Sequence, residues 1–360
     1  NKLKLRHGLA TGNLSGGTAV FAVIDCGTTN TRVYIVDEAG KILGQSAGKV
    51  GVRDVAVVGD NSVLKSGVRS IFFAAIAEAN LTVGDIKLAV ASGMITSEVG
   101  LIELAHNVVP CSLGDLAANV EIVRDETVTA LPVPVVFVRG VKNREGNDAA
   151  LADIRYLDFM RGEETQMMGL LALRRPELPV NIVMLGSHTK MIHIDAEGRI
   201  RGSMTSISGE MYESLTTTLI AKSMRAVSGE PSIRHTREEI LTAAENSVRS
   251  AGFMRTLLIY RFMQVLLKTN VDERQLFIGA AIAAEDMLVF DELQKHIYGG
   301  SAGCILIGRG ARCAIYRDML SRRLGESFPV EIIDGEESVA EFTVAGATEI
   351  AKLVTQAPEK

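Results

Sequence analysis

The chain contains no tryptophan, and aromatic residues of all kinds make up only 5% of its 360 positions. No apolar run is long enough to span a bilayer, so a membrane anchor is not expected. A basic stripe interleaved with aromatics is also missing, and with a net charge of −5 this argues against nucleic acid as a partner. Cysteine is scarce. Cys26, Cys111, Cys304 and Cys313 form no CxxC pair and no zinc spacing, which predicts free thiols and a reducing, cytoplasmic setting. Low-complexity tracts are absent. The residues are 47% apolar and 22% charged, the composition of a soluble globular protein, and at this length roughly two domains with a cleft between them are expected. Residues 1–18, rich in Lys, Gly and Thr and without the h-region of a signal peptide, read as a tail or extension.

The stretch from Val20 to Ser46 organises the rest. A β-branched run (Val20 to Ile24) ends in Asp25, a small, hydroxyl-rich turn follows (Cys26 to Asn30), and a second apolar run returns (Val33 to Val36). Asp37 to Gly40 reads as another turn and Ile42 to Ser46 as a third strand, giving an antiparallel meander. In its first turn Gly27 allows close approach of an anion, and the hydroxyls of Thr28 and Thr29 can donate to phosphate oxygens. Asp25 has the chemistry to hold a hydrated magnesium ion, or to act as a base.

Further along, Asp60 or Asn61 caps a predicted helix to about Asn80, and Lys87 to Ala91 is a buried-strand candidate. That strand delivers Ser92-Gly93-Met94-Ile95-Thr96-Ser97, a functional loop or an ordinary surface turn. Val133 to Val138 reads as a strand ending at Arg139, which can clamp a carboxylate. Glu163 and Glu164 open a helix of apolar Met and Leu positions, where a carboxylate suits the helix dipole whether or not it is catalytic. Arg174 to Pro179 ends that helix and marks the best domain boundary.

Beyond it the meander is written a second time. At a constant offset Thr31 pairs with Thr189, Arg32 with Lys190, Val36 with Ile194, Asp37 with Asp195, Gly40 with Gly198 and Ile42 with Ile200, while Gly27 corresponds to Gly186 after a one-residue slip. Strand-rich stretches can look alike by chance; the shared turn chemistry argues for a repeat. Helices are predicted at Ser208 to Met224, Arg237 to Ser247, Ala251 to Lys268 and Asp272 to Met287, with Thr236 and Glu239 as a capping box, and Met254, Phe262 and Met263 are read as core. Cys304 to Ile307 is a strand delivered into Gly308-Arg309-Gly310, which permits close approach of a flat or anionic ligand. A helix (Arg312 to Leu324), a strand (Val330 to Ile333) and a last helix (Glu336 to Leu353) complete the pattern.

Two phosphate-type hairpins, a glycine turn and a carboxylate between them describe two lobes facing each other across a nucleotide. Gly186, Ser187, His188, Thr189 and Lys190 would grip phosphates from the second lobe, Gly308 and Gly310 would lie under adenosine, and Glu163 is the candidate base, with Glu164 and Asp25 left open. His188 can equally satisfy a backbone carbonyl. The lobes are read as 19–178 and 179–335, with 336–360 packing back on the first.

Asp25-Cys26-Gly27-Thr28-Thr29-Asn30 with Arg32 resembles the first phosphate motif of the actin, Hsp70 and sugar kinase superfamily. Met160-Arg161-Gly162-Glu163-Glu164-Thr165-Gln166, Leu185 to Lys190 and Ser208-Gly209-Glu210-Met211-Tyr212 together are similar to the 2-dehydro-3-deoxygalactonokinases. The resemblance implies a ribonuclease H-like (actin-like ATPase) α/β fold. It also implies an ATP- and Mg2+-dependent kinase acting on the 6-hydroxyl of 2-dehydro-3-deoxy-D-galactonate, a small sugar acid, with a related keto acid as the alternative. Asn30, Gly93, Met94, Arg139, Arg161 and Glu164 are the candidate substrate contacts, and a homodimer is left open.

Overall fold

The β-branched run that opens the first motif forms β1 (Val20–Cys26), antiparallel to β2 (Thr31–Asp37), which pairs in turn with β3 (Ile42–Gly48). The structure is a computed structural model that describes residues 19–144, 149–217, 219–226, 229, 231–297 and 300–357, so the expected tail and the last three residues lie outside it. Helices α1 (Val52–Val58) and α2 (Ser62–Glu78) carry the chain to β4 (Ile86–Gly93), parallel to β1. Then come β5 (Asn107–Val108), α3 (Leu113–Ala118), β6 (Glu121–Val123), α4 (Glu126–Thr129), β7 (Val135–Phe137), β8 (Val141–Lys142), β9 (Phe159–Met160) and α5 (Glu163–Arg174).

The second half repeats the plan with β10 (Val180–Leu185), β11 (Thr189–Ile194) and β12 (Ile200–Ser206), then α6 (Ser208–Thr217), α7 (Arg237–Ala251), α8 (Phe253–Val265) and α9 (Val271–Ile297). Strand β13 (Gly303–Gly308) returns parallel to β10, and α10 (Gly310–Leu324), β14 (Val330–Asp334) and α11 (Glu336–Gln356) end the chain. Among the described residues the first sheet has the order β3-β2-β1-β4-β7-β6 and the second β12-β11-β10-β13-β14, with β5, β8 and β9 in a small third sheet. No helix among them is long and apolar enough to cross a membrane.

The repeat extends to details that the sequence pattern only hinted at. The β2–β3 register shifts between Ile35 and Val36, and the β11–β12 register shifts at the equivalent His193/Ile194 step. Asp37 Oδ1 accepts the amides of Ala39 and Lys41, both at 2.9 Å; Asp195 Oδ1 accepts those of Glu197 at 3.1 Å and Arg199 at 2.8 Å. An Asp whose carboxylate closes its own following turn fixes the hairpin locally, before any tertiary contact forms.

The two sheets share a core. Phe21 and Val23 of β1, Val90 of β4, Met167 and Leu170 of α5, Ile182 of β10, Ile192 of β11, Ile305 of β13 and Phe342 and Ile350 of α11 belong to one buried cluster. At its centre α5 and α11 cross where both are glycine: a Cβ at Gly169 would lie 1.8 Å from the Phe342 carbonyl oxygen, and one at Gly346 would lie 1.9 Å from that of Thr165. Gly346→Ala would gain about 0.5–1 kcal/mol of helix propensity but lose about 1–3 kcal/mol or more to overpacking. The expected result is a lower thermal midpoint and lower activity, because α5 begins at Glu163; a melt unchanged from wild type would contradict the crossing.

Several expectations shift. Helix α1 has no counterpart in the sequence reading, β7 is shorter than Val133 to Val138, and α9 runs on to Ile297 because Phe290 and Leu293 continue its buried apolar positions. Asp60, not Asn61, accepts at the start of α2, taking the Ser62 amide at 2.8 Å. The Thr236–Glu239 capping box is formed. Met254 is 76% exposed and therefore not core, whereas Met263 is buried.

Candidate active site

In each meander the turn between the first two strands is closed by one glycine amide. Gly27 N–H donates to Asn30 O at 2.9 Å, leaving Thr28, Thr29 and Asn30 exposed; Gly186 N–H donates to His188 O at 3.1 Å, leaving Gly186, Ser187 and His188 exposed. A helix start braces each turn from behind. The Arg53 amide donates to Thr28 O at 2.9 Å, and the Glu210 amide donates to Ser187 O at 2.8 Å. Both approaches need a glycine. A Cβ at Gly51 would sit 2.4 Å from Thr28 O and one at Gly209 2.2 Å from Gly186 O, and these two positions obey the same offset as the rest of the repeat.

Asp25 lies at the end of β1 opposite Ser92 of β4, its side chain 20% exposed and its Oδ2 3.6 Å from Arg32 Nη1. Burial pushes its carboxyl up from the ordinary range, and Arg32 works against that shift. Gly93 pairs with Cys26, and the backbones of Gly93 and Gly162 touch, a Cβ on the latter lying 3.3 Å from the Gly93 Cα. Glu163, the next residue, is thereby brought to the end of β1. The Ser92 to Ser97 segment is no surface turn: Ser92, Thr96 and Ser97 are buried, and Met94 is half-buried.

The two glutamates differ in access. Glu163 is partly exposed, and desolvation raises its carboxyl while Lys190 lowers it. Glu164 is wholly buried; both its oxygens accept the Gly162 amide, at 3.0 and 2.8 Å, and Thr165 Oγ1 donates to one of them. It closes the start of α5. Burial, together with the charge of Glu163, pushes its carboxyl up to about 8. A carboxyl raised in the folded state stabilises the fold fully below its unfolded pKa, and that contribution is lost as pH rises through the folded value. Stability should therefore fall between pH about 4.5 and about 8, and Glu164→Gln should flatten the slope in melts run across that range.

Lys190 does not reach into open space. Its three N–H groups go to Asp158 Oδ1 at 3.3 Å, Phe159 O at 2.9 Å and Thr205 Oγ1 at 2.7 Å. Arg161 donates to Thr96 Oγ1 at 2.9 Å and Leu104 O at 2.7 Å, so it holds the loop after β4. Arg139 donates to Asn119 O at 2.6 Å and pairs with Glu121 at 3.3 Å, which ties down the β6 edge. His188 Nε2 is 3.5 Å from Glu210 Oε1, and both are exposed. Cys26 is buried with its thiol pushed up to about 11, a small filler and no nucleophile.

Gly308 pairs with Leu185 at the edge of the second turn, and the Gly310 amide donates to Asp334 Oδ1 at 3.0 Å. Two residues that sequence reasoning missed join the site here. Asp158 anchors Lys190, and Arg312 of α10 donates to Gly186 O at 2.7 Å and Thr189 Oγ1 at 2.8 Å. A cation in the first turn of a helix opposes the helix dipole, and that was the available signal for Arg312.

Two repeated hairpins with matching turns, carried by sheets of matching order, give the doubled α/β plan of the actin-like ATPase fold. Within that class, the chain belongs to the 2-keto-3-deoxy-galactonokinase family, whose model matches residues 25–346. It is 24% identical over 337 residues to the "Probable 2-dehydro-3-deoxygalactonokinase DgoK1" of Rhizobium meliloti (strain 1021), covering 92% of this chain and 97% of that one. A crystal structure from Sinorhizobium meliloti, of a "putative 2-dehydro-3-deoxygalactonokinase protein", matches in fold with a TM-score of 0.68 at 21% identity, covering 94% of this chain and all of the other.

Proposed function

We propose that the protein transfers the terminal phosphoryl group of ATP to the 6-hydroxyl of 2-dehydro-3-deoxy-D-galactonate. One observation carries the reading: an unbroken run of contacts leads from the first turn through Cys26, Gly93 and Gly162 to Glu163, and from Phe159 and Asp158 through Lys190 to the second turn. The partly exposed carboxylate thus stands between two phosphate-type turns, each on its own lobe, read here as 19–178 and 179–335 with α11 seated on α5.

Glu163 takes the proton of the attacking hydroxyl, and its raised carboxyl is the better base for it. Lys190, fixed by Asp158, favours the ionised form of Glu163 against the effect of burial, without binding substrate itself. Thr28, Thr29, Ser187 and the turn amides orient the phosphates. Among the described residues no group of three or more His, Cys, Asp or Glu can hold a metal alone. The donor set fits magnesium all the same, because this ion commonly takes one or two carboxylates and completes its shell with water and phosphate oxygens, and Asp25 supplies such a carboxylate. Bound there, it would neutralise charge on the transferring phosphoryl group. Asn30 and the Gly93–Met94 backbone remain as the sugar-acid contacts.

ADP release measured with a panel of galactonate- and gluconate-derived 2-keto-3-deoxy acids tests the assignment. The galactonate-derived acid should give the highest kcat/KM. No stimulation over basal hydrolysis by any member would end the kinase reading.

A further inference from the structure

We propose that Arg312 is the phosphate-contacting cation of the second turn, a role that sequence reasoning gave to Lys190; the proposal rests on the kinase reading above. In the first hairpin the basic residue after the turn, Arg32, stands part-exposed beside Asp25. Its counterpart in the repeat, Lys190, has all three N–H groups engaged and is buried. The second turn therefore has no lysine or arginine free at the matching position of its own hairpin strand.

Arg312 fills that gap from α10. Its Nη1 donates to Gly186 O at 2.7 Å, and its Nη2 donates to Thr189 Oγ1 at 2.8 Å and Ser208 Oγ at 3.1 Å. All three acceptors are neutral, and among the described residues no carboxylate forms an ion pair with this guanidinium. The carboxylate of the same network, Asp286, is committed to Ser206 Oγ at 2.6 Å and to Tyr316 OH. The guanidinium lies over the Tyr316 ring, 5.5 Å from its centroid, so its plane is set before any ligand arrives. Three of five N–H donors are used, which leaves the Nε–H and one Nη1–H for a further acceptor. A part-exposed, pre-oriented cation with two remaining donors at a phosphate-type turn has the chemistry of a polyphosphate contact, not merely of a staple.

Titration calorimetry of the whole chain with ATP, ADP and adenosine, for wild type, Arg312→Gln and Arg312→Lys, separates the outcomes. Arg312→Gln keeps an amide able to bond Gly186 O but loses the charge. ATP and ADP should bind about 10- to 100-fold more weakly to it, Arg312→Lys should fall between it and wild type, and adenosine affinity should not change. Equal loss for adenosine and ATP in both variants would make Arg312 a brace for the turn and overturn the proposal, as would unchanged ATP binding in Arg312→Gln. A wild-type chain that binds no adenine nucleotide would instead overturn the kinase reading on which the proposal rests.

Discussion

With Glu163 as the proposed base, replacing it with Gln should lower kcat by about 10²- to 10⁴-fold while changing KM for the sugar acid far less, because that role calls on the carboxylate for proton transfer and not for ground-state binding. Gln keeps the volume and the polar contacts at the start of α5, so a folding defect does not account for such a loss. The pH profile supplies a second readout. A base must be ionised, and burial raises this one, so kcat/KM should climb with pH through a limb lying above the ordinary glutamate range. Glu163→Gln should erase that limb along with most of the turnover. Persistence of the limb at reduced rate would move the base to Asp25. Glu164→Gln should leave kcat/KM near wild type, since Glu164 is buried and its oxygens are taken by the Gly162 amide.

Asp25→Ala should cost about 100-fold or more in turnover and abolish its dependence on added magnesium. The fold should survive, for a physical reason visible at the site. Burial penalises the ionised Asp25 carboxylate, and its partner Arg32 is 43% exposed, so removing the acid leaves a cation that water can solvate. The thermal midpoint should hold or rise, as expected where a strained charge is kept for function. Magnesium titration of the coupled assay, run beside a thermal melt, reads both effects. A variant that keeps most of its activity and its magnesium response would remove the metal role from Asp25.

How far the repeat was legible turns on its local chemistry. Asp37 and Asp195, Gly40 and Gly198, and the apolar strands on either side form hairpins whose hydrogen bonds close within five residues, so their pattern is written in the linear sequence. The Thr236–Glu239 box was legible for the same reason. The pair Gly51 and Gly209 lay at the same offset and could have been found by extending it; nothing local marks them, because each is needed only for a carbonyl from a distant turn. Arg139, Arg161 and Lys190 illustrate the opposite limit. A cation's availability depends on where its donors go, and their acceptors lie at Asn119, Thr96, Leu104, Phe159 and Thr205. No spacing rule connects those positions.

The two meanders, their turns, the pair of adjacent glutamates at a helix start and the family to which these motifs point are all readable from the linear chain. Short-range periodicity and turn chemistry are properties of neighbouring residues, and they survive without a fold. Which glutamate stays accessible is a matter of tertiary packing, because the difference between Glu163 and Glu164 follows from the packing of Gly162 on Gly93 and the burial of Glu164 beside it. The same packing selects the cation left at the second turn, since a hydrogen-bond donor is spent or spare only once the long-range partners have closed around it.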